Sequence, residues 1–466
     1  MLEGINSIFI VGIKGAGMAN LAVILNQMGK NISGWDVDET FPTDRLLTKN
    51  NISFTTDPST PLNDDIDLVV YSAAHSGKDN IFVKQAMSKG ISIAHQATVL
   101  GELMKEFKTP VAVSGCHGKT TTSSLLAYAL LKLEANVSYF IGAPSFNEYP
   151  GSLYKGHDYL VVEADEYAID PPENKTPKFM SLHPEYIINT NIDFDHPDVY
   201  KNIEDTRMQF HGFFNLLSQK ERRLILNVDD EQTALVLPSL KEETYVTYGF
   251  RSDTDLRITS IAHKPDGIHL TLSYNGSDIG VFKLAIFGEK NALNAAGVIL
   301  FLLLNGFQPD DIRLAVAGFT GSKRRLEHIN TVRGIDIFDD YAHHPAEIKS
   351  SIQALKSRYP SRRIIVIFQP HTFSRTTALA DDFVEALSAA DHAFLMPVFS
   401  SAREQADDKV QNADVLISLA ASKKYSTIEK LPEDLKGLFK NGDVICMMGA
   451  GDVYKLTDVI ISNISI

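Results

Sequence analysis

Hydrophobic positions in this chain come in short unbroken runs, and most runs end on glycine or on a charged residue. Ser7-Ile8-Phe9-Ile10-Val11 leads into Gly12-Ile13-Lys14-Gly15-Ala16-Gly17-Met18, and Pro110-Val111-Ala112-Val113 leads into Ser114-Gly115-Cys116-His117-Gly118-Lys119. Apolar runs of this length bounded by turn residues predict buried strands. The stretches between them, such as the one through Met28 and Leu125 to Leu131, predict helices. Alternating strands and helices imply parallel sheets whose ligands sit at the carboxyl ends of the strands. Residues just after each run are therefore the candidates for chemistry.

The run ending at Val113 is the most informative. A strand, a Gly-rich turn and a helix in that order direct backbone N–H groups and a helix N-terminus at an anion. Gly115, Cys116, His117, Gly118 and Thr121 would form a phosphate loop, with Lys119 reaching the outer phosphates and Thr120 binding Mg²⁺. The full G-x-x-x-x-G-K-[ST] pattern is not met, because Val113 occupies the first glycine position. Two later strands end on acids: Asp158 to Val162 delivers Glu163-Ala164-Asp165-Glu166, and Tyr186 to Thr190 delivers Asn191 to His196. Hard oxygen ligands beside a phosphate loop suit Mg²⁺, with Glu163 and His196 as the candidate partners of Thr120.

The first loop, Gly15, Ala16, Gly17 and Met18 with Asp36 after the second strand, has the layout of a dinucleotide-binding unit. Lys14 stands at the middle glycine position, and a tight turn that binds nothing has the same pattern. Ser72 and His75 follow the next strand-like run and are candidate ligand contacts. From about residue 220 short β-type runs take over, with turns at Pro265-Asp266-Gly267 and Asn275-Gly276. Asn291 and Asn294 share a helix face, where they suit either a purine edge or a helix cap. A basic cluster, Lys323-Arg324-Arg325, precedes further strands that deliver Asp340-Tyr341-Ala342-His343-His344 and Gln369 to Arg375.

Composition narrows the class. The 466 residues are too many for one ordinary core, and the net charge is 44 − 58 = −14. That balance argues against nucleic-acid and anionic-membrane binding but allows local basic pockets. Two cysteines make no disulfide framework, and no stretch is apolar enough to span a bilayer, so a cytoplasmic enzyme is expected. The expected fold is α/β with three domains: a Rossmann-like domain over 1–108, a P-loop ATPase-like mixed sheet over 109–321, and a second Rossmann-like domain over 322–466.

Taken together, Ser114 to Thr122, Glu163 to Glu166, Asn191 to His196, Asn291 to Asn294, Lys323 to Arg325 and Asp340 to Pro345 resemble the Mur ligases in order and spacing, over essentially the whole chain. The resemblance implies a sugar-nucleotide domain, an ATP domain and an amino-acid domain, with ATP and Mg²⁺ as cofactors. It implies that Lys119, Glu163 and Mg²⁺ act on the transferred phosphoryl group and that His196 serves a second Mg²⁺. Asn291 and Asn294 would hold adenine, Arg325 and Asp340 would reach the nucleotide, and His343, His344, Tyr341 and Arg375 would face the amino acid. The first loop and Phe368 to Arg375 look most like members joining L-alanine to UDP-N-acetylmuramate, as a monomer or weak homodimer. Glu166-Tyr167, Lys175 to Phe179 and Gln209 to His211 look more like members that attach a ready-made tripeptide. The acceptor-domain likeness weighs more, so L-alanine is expected. An NAD-dependent oxidoreductase is the reading from another class, and it leaves Lys119-Thr120 with Glu163 without a use. Thr372 stands where the family usually has arginine. No lysine lies between Asn202 and Gln219, where some members carry one that bridges metals; His211 stands in that stretch.

Overall fold

The computed structural model describes residues 2–41, 43–171, 173–399, 424–425, 430–435 and 437–465, which form three α/β domains in sequence. The first sheet is wholly parallel, in the order Ser53–Thr55, Asn31–Trp35, Ser7–Val11, Leu68–Tyr71, Ser92–His95. Its central strand is buried at every position, as expected of a strand covered by helices on both faces.

The middle sheet has ten strands. Leu256–Lys264, Tyr245–Gly249, Leu224–Asn227, Tyr186–Asn189, Thr109–Ser114, Tyr159–Glu163 and Val137–Phe146 run parallel. Antiparallel strands finish both ends: Gly267–Tyr274 and Ser277–Leu284 on one side, Tyr149–Leu153 on the other. The turns expected at 265–267 and 275–276 are the connections of that antiparallel meander. The third sheet runs Glu327–Val332, Ile335–Asp340, Val444–Met448, Ile364–Phe368, His392–Leu395, Lys424–Tyr425, with only the first strand antiparallel.

One apolar core joins the first domain to the middle one. Ile8, Ile10 and Leu21 belong to the same buried cluster as Ala112, Leu160, Phe179 and Phe210. The helix Ala16–Gln27 lies against Val137–Phe146, where Asn20 Nδ2 donates to the Ile141 carbonyl at 2.6 Å. The third domain has its own core on each face of its sheet. Charged and polar side chains such as Arg325, Arg375 and Glu347 reach the middle domain across the seam, and the candidate site lies there.

Candidate active site

The strand Thr109–Ser114 turns into the helix Lys119–Lys132 through residues that leave no room for side chains at two points. Gly118 has φ +83°, and a Cβ there would lie 2.8 Å from Asn294 Oδ1; at Gly115, with φ +133°, it would lie 2.0 Å from Thr190 Oγ1. Both are left-handed positions that glycine adopts without strain. The loop backbone is further tied by Asn191, whose Oδ1 accepts from His117 N at 3.0 Å and whose Nδ2 donates to His117 O at 2.8 Å. No side chain caps the helix, so its first N–H groups are left for a ligand.

Lys119 donates to Glu166 Oε2 at 2.6 Å and to the Gly115 carbonyl at 2.6 Å. Burial disfavours its charge, but the Glu166 carboxylate more than offsets this and raises its pKa. Thr120 Oγ1 donates to Glu163 Oε2 at 3.2 Å and accepts from Arg325 Nη2 at 3.3 Å. The other Glu163 oxygen accepts from Gly142 N at 2.7 Å, and burial raises this carboxyl's pKa. Half-buried and without an ion pair among the described residues, Glu163 with the Thr120 hydroxyl fits a hard divalent cation.

Two further groups bring possible ligand atoms within 4.8 Å of one another: Glu166, Asp195 and His196, and His117, Asp193 and His344. His196 has φ +59°, uncommon for a non-glycine residue, and its backbone N–H is held by Asp195 Oδ1 at 2.7 Å. Its Nε2 lies 3.4 Å from Glu166, so the first group borders the Lys119 pair and can accept a cation. The second group differs. His117 Nε2 lies 2.9 Å from Asp193 Oδ2, and Nδ1 lies 3.6 Å from Glu347 Oε1. Burial opposes charge on this ring, yet the Asp193 hydrogen bond and Glu347 hold its pKa up at about 9. His117 is paired with Asp193 within the middle domain and with Glu347 across the domain seam.

A cleft of about 230 Å³ opens beside the loop and is lined from both domains, by His117, Gly118, Asn291 and Asn294 and by Arg325 and Asp340. Asn291 donates to the Phe287 carbonyl at 2.8 Å and accepts from Asn294 at 3.2 Å. Neither asparagine caps the helix Glu289–Leu304, whose N-cap is Gly288, so the capping alternative is not what the pair does. Burial pushes Asp340 up to about 6, and its carboxylate accepts from Ser351 Oγ and, at 3.2 Å, from Ala342 N. The guanidinium groups of Arg324 and Arg325 each lie 5.0 Å from the Tyr341 ring centre, which places Tyr341 against the basic cluster.

Of the four residues expected to face the amino acid, Arg375, His344 and His343 are largely engaged by the protein itself. Arg375 is buried and donates to Asp195 Oδ1 at 2.7 and 2.9 Å, with His196 Nδ1 3.4 Å away. His344 is the N-cap of the helix Pro345–Arg358, where its Nδ1 accepts from Ala346 N at 3.3 Å. His343 Nδ1 lies 3.0 Å from the Tyr341 carbonyl, and burial pushes its pKa down to about 3, so the ring is neutral with Nε2 as acceptor.

In the first domain the reading of Asp36 needs the same revision. It is 1 % exposed and accepts from Lys14 N at 2.7 Å and Val37 N at 2.8 Å, with His75 Nε2 3.4 Å away. Lys14 is also buried, its ammonium donating to the Val37 and Glu39 carbonyls at 2.9 and 2.7 Å. Gly15 is the N-cap of the helix holding Ala16, Gly17 and Met18, and Ser72 is half-buried at the end of Leu68–Tyr71. His211 pairs with Asn215 at 3.2 Å and belongs to neither possible cation group. Sequence reasoning missed Glu347. Its signal was its place three residues after His344 at a helix start, the spacing of a capping box.

Comparison with known proteins gives this arrangement a family. The model described as "Mur ligase family, catalytic domain" matches residues 7–108, "Mur ligase middle domain" matches 113–302, and "Mur ligase, glutamate ligase domain" matches 324–451. The chain belongs to the Mur ligase family. It is 36% identical over 462 residues to the UDP-N-acetylmuramate–L-alanine ligase of Ligilactobacillus salivarius, covering 98% of each chain. It is 35% identical to the enzyme of the same name from Streptococcus gordonii, covering 95% of this chain and 94% of that one. Among solved structures, the UDP-N-acetylmuramate–alanine ligase MurC of Thermotoga maritima superposes with a TM-score of 0.79 at 26% identity, over 98% of this chain and 99% of that one. A murein peptide ligase from Psychrobacter arcticus shares the fold, with a TM-score of 0.73 at 22% identity and 99% coverage of both chains.

Proposed function

We propose that this chain is an ATP-dependent ligase that joins L-alanine to UDP-N-acetylmuramate, forming ADP and phosphate. The observation that carries this reading is full-length similarity to enzymes of that name, together with a phosphate loop whose lysine and threonine face two carboxylates at the end of the strand Tyr159–Glu163.

A carboxylate is a poor electrophile, so the lactyl carboxylate of the sugar nucleotide first takes the terminal phosphoryl group of ATP. The alanine amine then attacks the acyl phosphate at carbon, and phosphate leaves from the tetrahedral adduct. Thr120 and Glu163 would hold one Mg²⁺, with His196 and Glu166 offered to a second, and the bound metal would supply positive charge against the transferring phosphoryl group. Lys119 would exchange Glu166 for the phosphate oxygens. Asn291 and Asn294 would meet the adenine, and Asp340 the ribose, whose hydroxyls it can accept from. Arg325 spans the seam to Thr120 and would bring a second cation to the phosphates. Seam contacts such as His117 with Glu347 and Arg375 with Asp195 would keep water from the acyl phosphate while the third domain is docked. His343, neutral near pH 7, orients a donor rather than removing a proton.

The test is phosphate release with ATP, Mg²⁺ and UDP-N-acetylmuramate, comparing L-alanine with L-alanyl-γ-D-glutamyl-diaminopimelate, with the amide product weighed by mass spectrometry. Turnover with L-alanine supports the reading. Turnover with the tripeptide alone moves the chain to the recycling branch of the family, and no product from either overturns ligation.

A further inference from the structure

The segment that carries the chain into the third domain is held at one end by the middle domain and at the other by the third. The strands Val137–Phe146 and Tyr149–Leu153 form a hairpin in which Phe146 pairs with Tyr149, so Asn147 and Glu148 make its turn. Phe146 also makes an antiparallel bridge to Ser322, closed by Asn147 N donating to the Gly321 carbonyl at 3.4 Å and Lys323 N to the Ser145 carbonyl at 3.0 Å. The Asn147 side chain completes the grip. Its Nδ2 donates to the Gly318 carbonyl at 2.8 Å, and its Oδ1 accepts from Thr320 N at 3.2 Å. Ser322 is buried and donates to Ser124 Oγ, on the phosphate-loop helix, at 2.8 Å.

One residue later the partners change domain. Arg324 donates through Nε to Asp339 Oδ2 at 3.1 Å and through Nη2 to the Gly449 carbonyl at 2.7 Å, and its own carbonyl accepts from Tyr341 N at 2.7 Å. Arg324 and Leu326 have φ of +58° and +47°, so the backbone is left-handed on either side of Arg325. Arg325 N donates to the Ser322 carbonyl at 3.1 Å, while its guanidinium returns to Thr120 Oγ1 at 3.3 Å and lines the cleft beside the phosphate loop. The place of that guanidinium therefore depends on where residues 318–323 are fastened. The strand that fastens them also holds the candidate metal carboxylate, since Gly142 N donates to Glu163 at 2.7 Å.

We propose that Asn147 is a positioning residue for the nucleotide: by clasping residues 318–321 onto the middle domain it sets Arg325 against Thr120 and the phosphates of ATP. This rests on the ligase reading above through the place of Arg325 at the nucleotide, and it adds a residue outside the cleft that fixes one inside it. An amide side chain suits the task because it donates and accepts at once, matching a backbone carbonyl and an N–H two residues apart. Asn147 has φ +43°, a conformation that asparagine and glycine adopt more readily than other residues. Its replacement by glycine therefore removes the clasp and leaves the turn unstrained.

The experiment measures binding of MgATP by calorimetry to the full chain, to Asn147→Gly and Asn147→Asp, and to each of these combined with Arg325→Met. Asn147→Gly is expected to weaken MgATP about fivefold, the net worth of about one hydrogen bond. Asn147→Asp turns a carboxylate oxygen toward the Gly318 carbonyl and weakens it at least as much. In the Arg325→Met chain either change alters binding by less than about twofold, because the residue that Asn147 positions is gone. Undiminished MgATP binding by either single variant overturns the proposal. So does an equal loss with and without Arg325, which is the mark of a purely structural role in the middle domain. Product formation by the unmodified chain with L-alanine is read in the same preparation. A failure of the ligase reading then shows as missing product, while the MgATP comparison still decides the role of Asn147.

Discussion

The chain contains two strand–glycine loop–helix units, and they use charge in opposite ways. In the first, Lys14 and Asp36 are buried and bound to backbone groups: Asp36 to Lys14 N and Val37 N, Lys14 to two carbonyls. In the second, Lys119 pairs with Glu166, Thr120 with Glu163 and Arg325, and His117 with Asp193 and Glu347. Backbone partners cannot move without unfolding the loop, so the first unit's charges are structural. Side-chain partners of opposite sign can be exchanged for a phosphate or a cation of similar charge. The second unit is therefore the one whose charges can be exchanged for a ligand's.

The largest expected effect separates the two lysines. Lys119→Met should lower ligase turnover about 10³-fold, the size expected when a charge-stabilising donor is lost from a buried site. Lys14→Met should leave turnover within about threefold, because its charge never reaches a ligand. Steady-state kinetics on both variants decides this, and equal losses would erase the distinction. Next comes the seam. Asp195→Ala leaves Arg375 buried without its partner and should lower stability by about 3–5 kcal/mol in denaturant unfolding followed in the third domain. A variant as stable as the parent would mean that the pair contributes nothing to docking.

A smaller effect is expected in the first loop. Asp36→Ala strips acceptors from two buried N–H groups and should cost about 1–3 kcal/mol, with ATP affinity unchanged when titrated by calorimetry. A loss of ATP affinity would show that the two loops are coupled. The smallest effect is a pH trend. The folded-state pKa of His117, about 9, lies above its ordinary 6.5, so its contribution is complete below about pH 6.5 and is lost as pH rises through 9. The melting temperature of the parent should fall relative to His117→Asn between about pH 7 and 9.5. Parallel curves would mean that the ring is neutral in the folded chain.

Local pattern carried a reader far in this molecule. Val111 to Thr121 announces a phosphate loop because a strand, two glycines and a lysine at a helix start are a local arrangement, set by neighbours in sequence. Glu163 and His196 were recognisable as strand-end groups for the same reason. Arg375 was read as a substrate contact and is instead tied to Asp195, because its partner lies 180 residues away in the chain. Glu347 carried only a weak capping signal, yet it joins His117, His343 and Arg325 at the seam.

By itself the sequence determined the alternating α/β fold, the strand–glycine loop–helix unit over residues 109–132 and the acidic strand ends that follow it. Those follow from hydrophobic period and turn chemistry, which act over a few residues. Only the tertiary structure decided which charges are already engaged. Asp36 and Lys14 are each held by backbone groups, and Arg375 closes onto Asp195. The physical reason is that the energy of a charge depends on its burial and on its nearest opposite charge. In this chain those partners come from other strands and other domains, brought together only when the three cores have formed.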